Sequence, residues 1–149
     1  MKETFKTLNI IYLALIGGQL AFFAVVFFVL KPAPQEDDFF QMLVPIVSIM
    51  TIVASFFIYK MLKEKATEMD SLEDKVTHYR TSNIVRYALV EGGNLFAIVV
   101  FLLTGQTFLL AFFALGLIVF FFYRPSVQGF INDFEMSDGE ASKLNNIVQ

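Results

Sequence analysis

Residues 83–103 read Asn-Ile-Val-Arg-Tyr-Ala-Leu-Val-Glu-Gly-Gly-Asn-Leu-Phe-Ala-Ile-Val-Val-Phe-Leu-Leu, and no other stretch constrains the chain as strongly. The run is long and apolar enough to cross a bilayer, because about 20 helical residues cover a hydrocarbon core of roughly 30 Å. It also sets an ionisable Glu91 in its interior. A charge at that depth costs about 2.5–3.5 kcal/mol on insertion scales. Glu91 is therefore expected to have a hydrogen-bond partner, a bound proton or a task.

The rest of the chain agrees with a membrane setting. Of its 149 residues 56% are hydrophobic and 17% charged, with 19 phenylalanines, which is too apolar for a soluble domain of this size. The net charge is −3 and the charged residues fall almost entirely between the apolar runs, so nucleic acid is not an expected partner. The absence of Cys excludes disulfides and thiolate chemistry, and one His cannot form a cluster, so neither a metal nor a cofactor is expected.

Four apolar runs predict four spanning helices at about 9–30, 39–62, 83–103 and 107–123. The first is too long for the apolar core of a signal peptide, and no cleavage site follows, so it is expected to be retained. Pro32 and Pro34 end it, and Glu36, Asp37 and Asp38 make the next turn acidic. Ser48, Thr51 and Ser55 share one face of the second span, the face expected to meet another helix. Residues 63–82 alternate charge with Ala66, Met69, Leu72, Val76 and Tyr79 at intervals of three and four, which predicts an amphipathic helical connector, with Ser71 and Asp74 placed to cap a restart. Gly105 sits in a turn so short that the third and fourth spans must pack antiparallel. In the tail, 124–149, Val127, Phe130, Ile131 and Phe134 form the stripe of a short amphipathic helix, expected on the membrane surface or against the connector. The polar residues from Ser137 are expected to be loosely ordered unless Ser137 and Glu140 cap one more helix.

Lys and Arg decide orientation. Lys2 and Lys6, the connector lysines 60, 63, 65 and 75 with Arg80, and Arg124 and Lys143 in the tail fall on one side of a four-span chain, against Lys31 alone on the other. Both termini are expected in the cytoplasm, the chain lying in the bacterial inner (cytoplasmic) membrane.

The chain also repeats itself. A shift of 74 residues superposes Asn9 on Asn83, Ile10 on Ile84, Ala14 on Ala88, Leu15 on Leu89, Gly18 on Gly92, Phe22 on Phe96, and residues 25–27 on 99–101. The second halves match as Phe-Phe-Ile-Tyr-Lys at 56–60 against Phe-Phe-Phe-Tyr-Arg at 120–124. Each copy is an even two-span unit, so the fold predicted is an all-α integral membrane protein of four transmembrane helices arranged as two parallel-repeat helical hairpins. The repeat duplicates a pair of small residues four apart, Ala14 with Gly18 and Ala88 with Gly92, the spacing that brings helices together. It sets Gln19 level with Gly93, next to Asn94 and near Glu91, which predicts a buried polar layer of Gln19, Glu91 and Asn94 with Tyr87 one turn away. Arg86 is about 140° from Glu91 around the helix and is expected to reach the cytoplasmic interface instead.

The segment 86–105, with Leu89-Val90-Glu91-Gly92 and Phe101-Leu102-Leu103-Thr104-Gly105, together with Arg124-Pro125-Ser126 and Asp133-Phe134-Glu135-Met136-Ser137, resembles a family of small, uncharacterised bacterial four-span membrane proteins. That resemblance implies the architecture and brings no activity. The duplicated hairpin, with a carboxylate at Glu91 in one copy and Gly17 in the other, is distantly similar to the rotor-ring proteolipids of rotary ATPases, which implies that Glu91 carries an ion. The residues offer no paired acid and base and no nucleophile beside a His, so the expected protein is not an enzyme. It is expected to oligomerise or to serve as an accessory subunit of a larger membrane complex in the lipid bilayer, or alternatively to be an ion- or proton-coupled transporter or rotor-like proteolipid using Glu91.

Overall fold

The computed structural model describes residues 1–35 and 38–148; the acidic turn at Glu36 and Asp37 lies outside them. The described residues form helices joined by short turns and contain no strand. α1 (Lys2–Ala24) runs on through a wider π-helical turn (Val25–Leu30) and stops at Lys31, whose backbone is left-handed. α2 spans Asp38–Ala66 and α3 Leu72–Thr104. A 3-10 turn (Thr107–Leu109) leads into α4 (Leu110–Phe122), followed by α5 (Val127–Asp133) and α6 (Asp138–Val148).

Three helices are long and apolar enough to cross a membrane: Lys2–Leu30, Phe39–Ala66 and Leu72–Thr104. Residues 107–122 reach only about 24 Å at 1.5 Å per residue, and they make a fourth span if counted with α5, from which they bend by 83°. The outward surface carries many large apolar side chains: Phe122 is 83% exposed, and Leu13, Phe28, Val29, Met42 and Phe56 also face out.

α3 is the axis of the bundle, with α2, α4 and α1 packed around it, while α1 and α2 scarcely touch among the described residues. The first two helices are joined in sequence and each packs on α3 instead of on the other. Their connection is pinned to the α3–α4 turn: the Gln35 N–H donates to Thr104 O (2.7 Å), and Gln106 Nε2 donates to Gln35 O (2.8 Å). Gly105 makes this docking possible. Its φ is +62°, and a Cβ there would run into the Ala33 carbonyl and lie 2.7 Å from Pro34 N. Gly105→Ala should cost about 1–2 kcal/mol through the left-handed backbone alone, and more through the backbone collision; the drop in melting temperature in detergent measures it, and an unchanged melting temperature would mean that the two turns do not meet.

The predicted connector helix over 63–82 is instead two helix ends. α2 closes at Ala66 with Thr67 N–H on Glu64 O and Met69 N–H on Ala66 O, and Ser71, in extended conformation, starts α3 five residues later. The Ser71 side chain makes no capping bond, so the expected box with Asp74 does not form. From there α3 continues unbroken into the third apolar run.

The tail is not loose. Ser126 Oγ accepts the Gly129 N–H to start α5 (2.9 Å), and Phe130 and Phe134 pack on Tyr79 of α3, with Phe130 also against Phe5 of α1. At α6 the reciprocal cap does form: the Glu140 N–H reaches Ser137 Oγ (3.4 Å), and the Ser137 N–H donates to Glu140 Oε2 (3.2 Å). The Ser137 N–H, with Lys75 at 3.2 Å on the other oxygen, holds the Glu140 carboxyl below its usual range. A lowered carboxyl adds stability above its unfolded value and loses it as pH falls through the folded one. Helix content in α6 should therefore decline as the solution is acidified through and below the ordinary carboxylate range, and Glu140→Gln should flatten that dependence; residue-resolved amide exchange reads both.

Two apolar cores fill the bundle. One, around Tyr12, Tyr79, Tyr87, Phe120 and Phe130, lies at the end carrying the termini; the other, around Val26, Val44, Ile98, Phe101 and Phe113, lies at the end carrying residues 31–35 and 105–109.

Candidate functional site

Between these cores each long helix contributes small or polar residues. α1 supplies Gln19, α2 Ser48 and Thr51, α3 Gly93 and Asn94, and α4 Gly116, whose neighbours in sequence on either side belong to the two cores. Asn94 Nδ2 donates to Gln19 Oε1 at 2.7 Å, with Gln19 fully buried and Asn94 nearly so. Asn94 lies about 15 Å along α3 from Thr104, half the hydrocarbon thickness. Its side chain fills the space left by Gly116: a Cβ there would overlap Asn94 Oδ1 and stand 2.7 Å from Cγ. A Cβ at Gly93 would likewise collide with Thr51 Oγ1, so α2 approaches α3 across that glycine. Gln19 Nε2 and Ser48 Oγ are buried in this layer without a partner.

Of the residues the sequence assigns to the layer, the structure joins Gln19 and Asn94 and leaves out the others. Glu91 is half-buried and has no hydrogen-bond or ion-pair partner among the described residues. It lies 60° around α3 from Asn94, enough to turn it toward the outer surface while Asn94 points in. Tyr87 is buried but leans toward the N-terminal end of its helix, as long helical side chains do. Its hydroxyl lies within hydrogen-bond distance of Asn83 Oδ1 (3.1 Å) and the Tyr123 carbonyl (2.9 Å) and shares its one proton between them, away from Glu91. The four small residues expected to join α1 to α3 do not do so. Ala14, Gly18, Ala88 and Gly92 are all exposed, and nothing lies within 4 Å of a Cβ built at Gly18 or Gly92. α1 meets α3 instead through Leu8, Tyr12, Ile16 and Gln19, on its opposite face.

A second polar constellation, missed by sequence reasoning, surrounds Arg86. This residue does not reach out to the interface; it is 8% exposed and turned inward. Its guanidinium lies 3.9 Å from the ring centre of Tyr59 on α2 and 4.4 Å from that of Tyr123 at the end of α4, close enough on both sides for cation–π attraction. It donates to Asn83 Oδ1 (2.6 Å) and, at 3.3 Å, to the Tyr123 carbonyl, while Nε has no acceptor. The tyrosines carry the network outward. Tyr123 meets Ser55 Oγ (3.0 Å), and Tyr59 donates to Asp133 Oδ2 (2.6 Å), whose other oxygen faces Lys63 at 3.5 Å. The available signal was the pair of matching segments ending in Tyr59-Lys60 and Tyr123-Arg124, together with Asn83, Arg86 and Tyr87 at spacings of three and four on one helix face.

The first layer fastens the helices with neutral amides, and the second holds a cation in an aromatic box at the terminal end of the bundle. No group of three or more His, Asp or Glu side chains placed to share a metal ion occurs among the described residues. The chain matches no protein-family model, no curated protein and no solved structure.

Proposed function

We propose that this chain is a non-enzymatic four-span protein of the bacterial inner membrane, with both termini in the cytoplasm, that self-associates or serves as an accessory subunit of a membrane complex through the outer faces of α1 and α3. The observation that carries this reading is Glu91: a partnerless, half-buried carboxyl next to exposed Ala88 and Gly92, about 20 Å along α3 from Thr104. A carboxyl left there against lipid is costly, and a neighbouring helix crossing at the small residues supplies the missing donor. The internal repeat supports the architecture. Asn9 and Asn83, equivalent in the two copies, each donate to the carbonyl four residues back, at 3.0 and 2.8 Å, and the equivalent Tyr59 and Tyr123 both offer a ring to Arg86.

Native mass spectrometry in a mild detergent tests the association. Oligomers of the 16.9 kDa chain, or a copurifying partner, are expected, and Gly92→Leu, at a position where an added Cβ finds no neighbouring element within 4 Å, should disperse them. A strict monomer without a partner overturns the reading. A reporter inserted at 31–41 that proves cytoplasmic overturns the topology.

Glu91 also favours a second reading, in which its carboxyl carries an ion or proton for a coupled transporter or rotor-like element. Glu91→Gln keeps size and hydrogen-bonding capacity but not the titratable proton. Under this reading assembly survives the substitution while pH-dependent flux in liposomes disappears; flux that is absent from both proteins, or equal in both, eliminates it.

A further inference from the structure

We propose that the seam between α2 and α4 at the terminal end of the bundle is a binding site for an anionic phospholipid, its acyl chains lying in the seam and its phosphate held by Lys60 and Lys63. The seam is an open, almost wholly apolar groove of about 480 Å³ between Val53, Phe56 and Phe57 of α2 and Val119, Phe122 and Tyr123 at the end of α4. Tyr123, which lines it, is hydrogen-bonded to Ser55 of α2 (3.0 Å). Phe56 also belongs to a second cavity of about 260 Å³, lined by Tyr59, Lys60, Lys63 and Asp133, so the apolar groove and the charged cavity share a wall.

The order of residues along α2 matches the order of chemistry in a phospholipid. Val53, Phe56, Phe57, Lys60 and Lys63 recur at intervals of three and four, so one helix stripe passes from apolar to basic where the span ends. Tyr59 and Tyr123 stand at that boundary, as interfacial tyrosines do. The local charge selects an anion. Asp133 is the only carboxylate lining either cavity and is already shared by Lys63 and the Tyr59 hydroxyl, whereas Lys60 is exposed and has no acidic partner among the described residues. Arg86 lies directly behind both tyrosines, more than nine-tenths buried and with no carboxylate in salt-bridge reach among the described residues, so its charge adds to the field at the cavity mouth. Basic pockets at helix ends that recognise acidic head groups work in this way.

The test is binding of phosphatidylglycerol and phosphatidylcholine with identical acyl chains to the delipidated full-length protein, read by native mass spectrometry. Phosphatidylglycerol should bind about 25-fold or more tightly, at roughly fivefold for each of the two lysines. Lys60→Gln should weaken it about fivefold, and Lys60→Gln with Lys63→Gln about 25-fold, at roughly fivefold per juxtamembrane lysine, with phosphatidylcholine little changed. Lys65→Gln removes the same charge from another face of α2, beside Glu64 and Glu68, and should leave the preference intact. Equal binding of the two lipids, or an equal loss in the Lys65 variant, overturns the proposal. So does displacement by glycerol phosphate at the lipid's own concentration, which would make this a site for the soluble anion.

Discussion

Arg86→Ala should lower the stability of the detergent-solubilised protein by about 3 kcal/mol, whereas Arg86→Met should cost less than about 1 kcal/mol. The first figure combines two guanidinium–tyrosine contacts at about 0.5–2 kcal/mol each with charged hydrogen bonds at about 1.5–3 kcal/mol, reduced by the dehydration cost of burying the cation. It also includes the hole left between Tyr59 and Tyr123. Methionine refills much of that hole and removes a buried charge, an exchange that is often neutral or stabilising. Only one acceptor loses its donor, because the single Tyr87 O–H still serves either Asn83 Oδ1 or the Tyr123 carbonyl. Arg86→Lys should be no better than alanine: it keeps a buried cation but gives up the planar fork and the stack. Reversible unfolding of the three variants gives the order Met, then Ala and Lys. Methionine as damaging as alanine would mean that the charge itself stabilises the bundle.

The parts of this fold legible in sequence are those governed by local rules. Apolar length places the helices, Gly105 marks the tight turn, and the shared face of Ser48, Thr51 and Ser55 does pack inward, with Ser48 and Ser55 buried. The Gln19–Asn94 hydrogen bond follows from the register of the repeat. The misses are choices of direction that one-dimensional spacing leaves open. Residues 60° apart on α3 can share a helix face and still divide between interior and surface, which is what happens to Asn94 and Glu91. Ala14 and Gly18 carry a packing motif, but the opposite face of α1 holds the larger side chains of Tyr12 and Ile16 and buries more area. Arg86 looks like an interfacial cation because no acidic partner can be found near it in sequence. What receives it is a pair of tyrosines from two other helices, brought together only once α2 and α4 pack on α3.

Gly116→Ala should cost about 3 kcal/mol, and Asn94→Ala should suppress it. The added carbon would overlap Asn94 Oδ1 and lie 2.7 and 3.1 Å from Cγ and Nδ2, so the three nearest atoms all belong to that one side chain. Asn94 is held by Gln19 and buried on α3, so it has little room to yield; overpacking costs about 1–3 kcal/mol, and the interhelical amide bond it displaces about 0.6–2 kcal/mol. Asn94→Ala alone should cost about 1–2 kcal/mol, since it leaves a void and an unpaired Gln19 amide. In the double variant the obstructing amide is gone and the Gly116 methyl enters the void, so the pair should be no less stable than Asn94→Ala by itself. That makes the coupling between the sites about as large as the whole cost of Gly116→Ala, well above the few tenths of a kcal/mol expected for independent positions. Unfolding measurements on the four proteins of this cycle decide it. Additive costs would mean that α4 does not cross α3 at Asn94, and the polar layer joining α1, α3 and α4 would have to be redrawn.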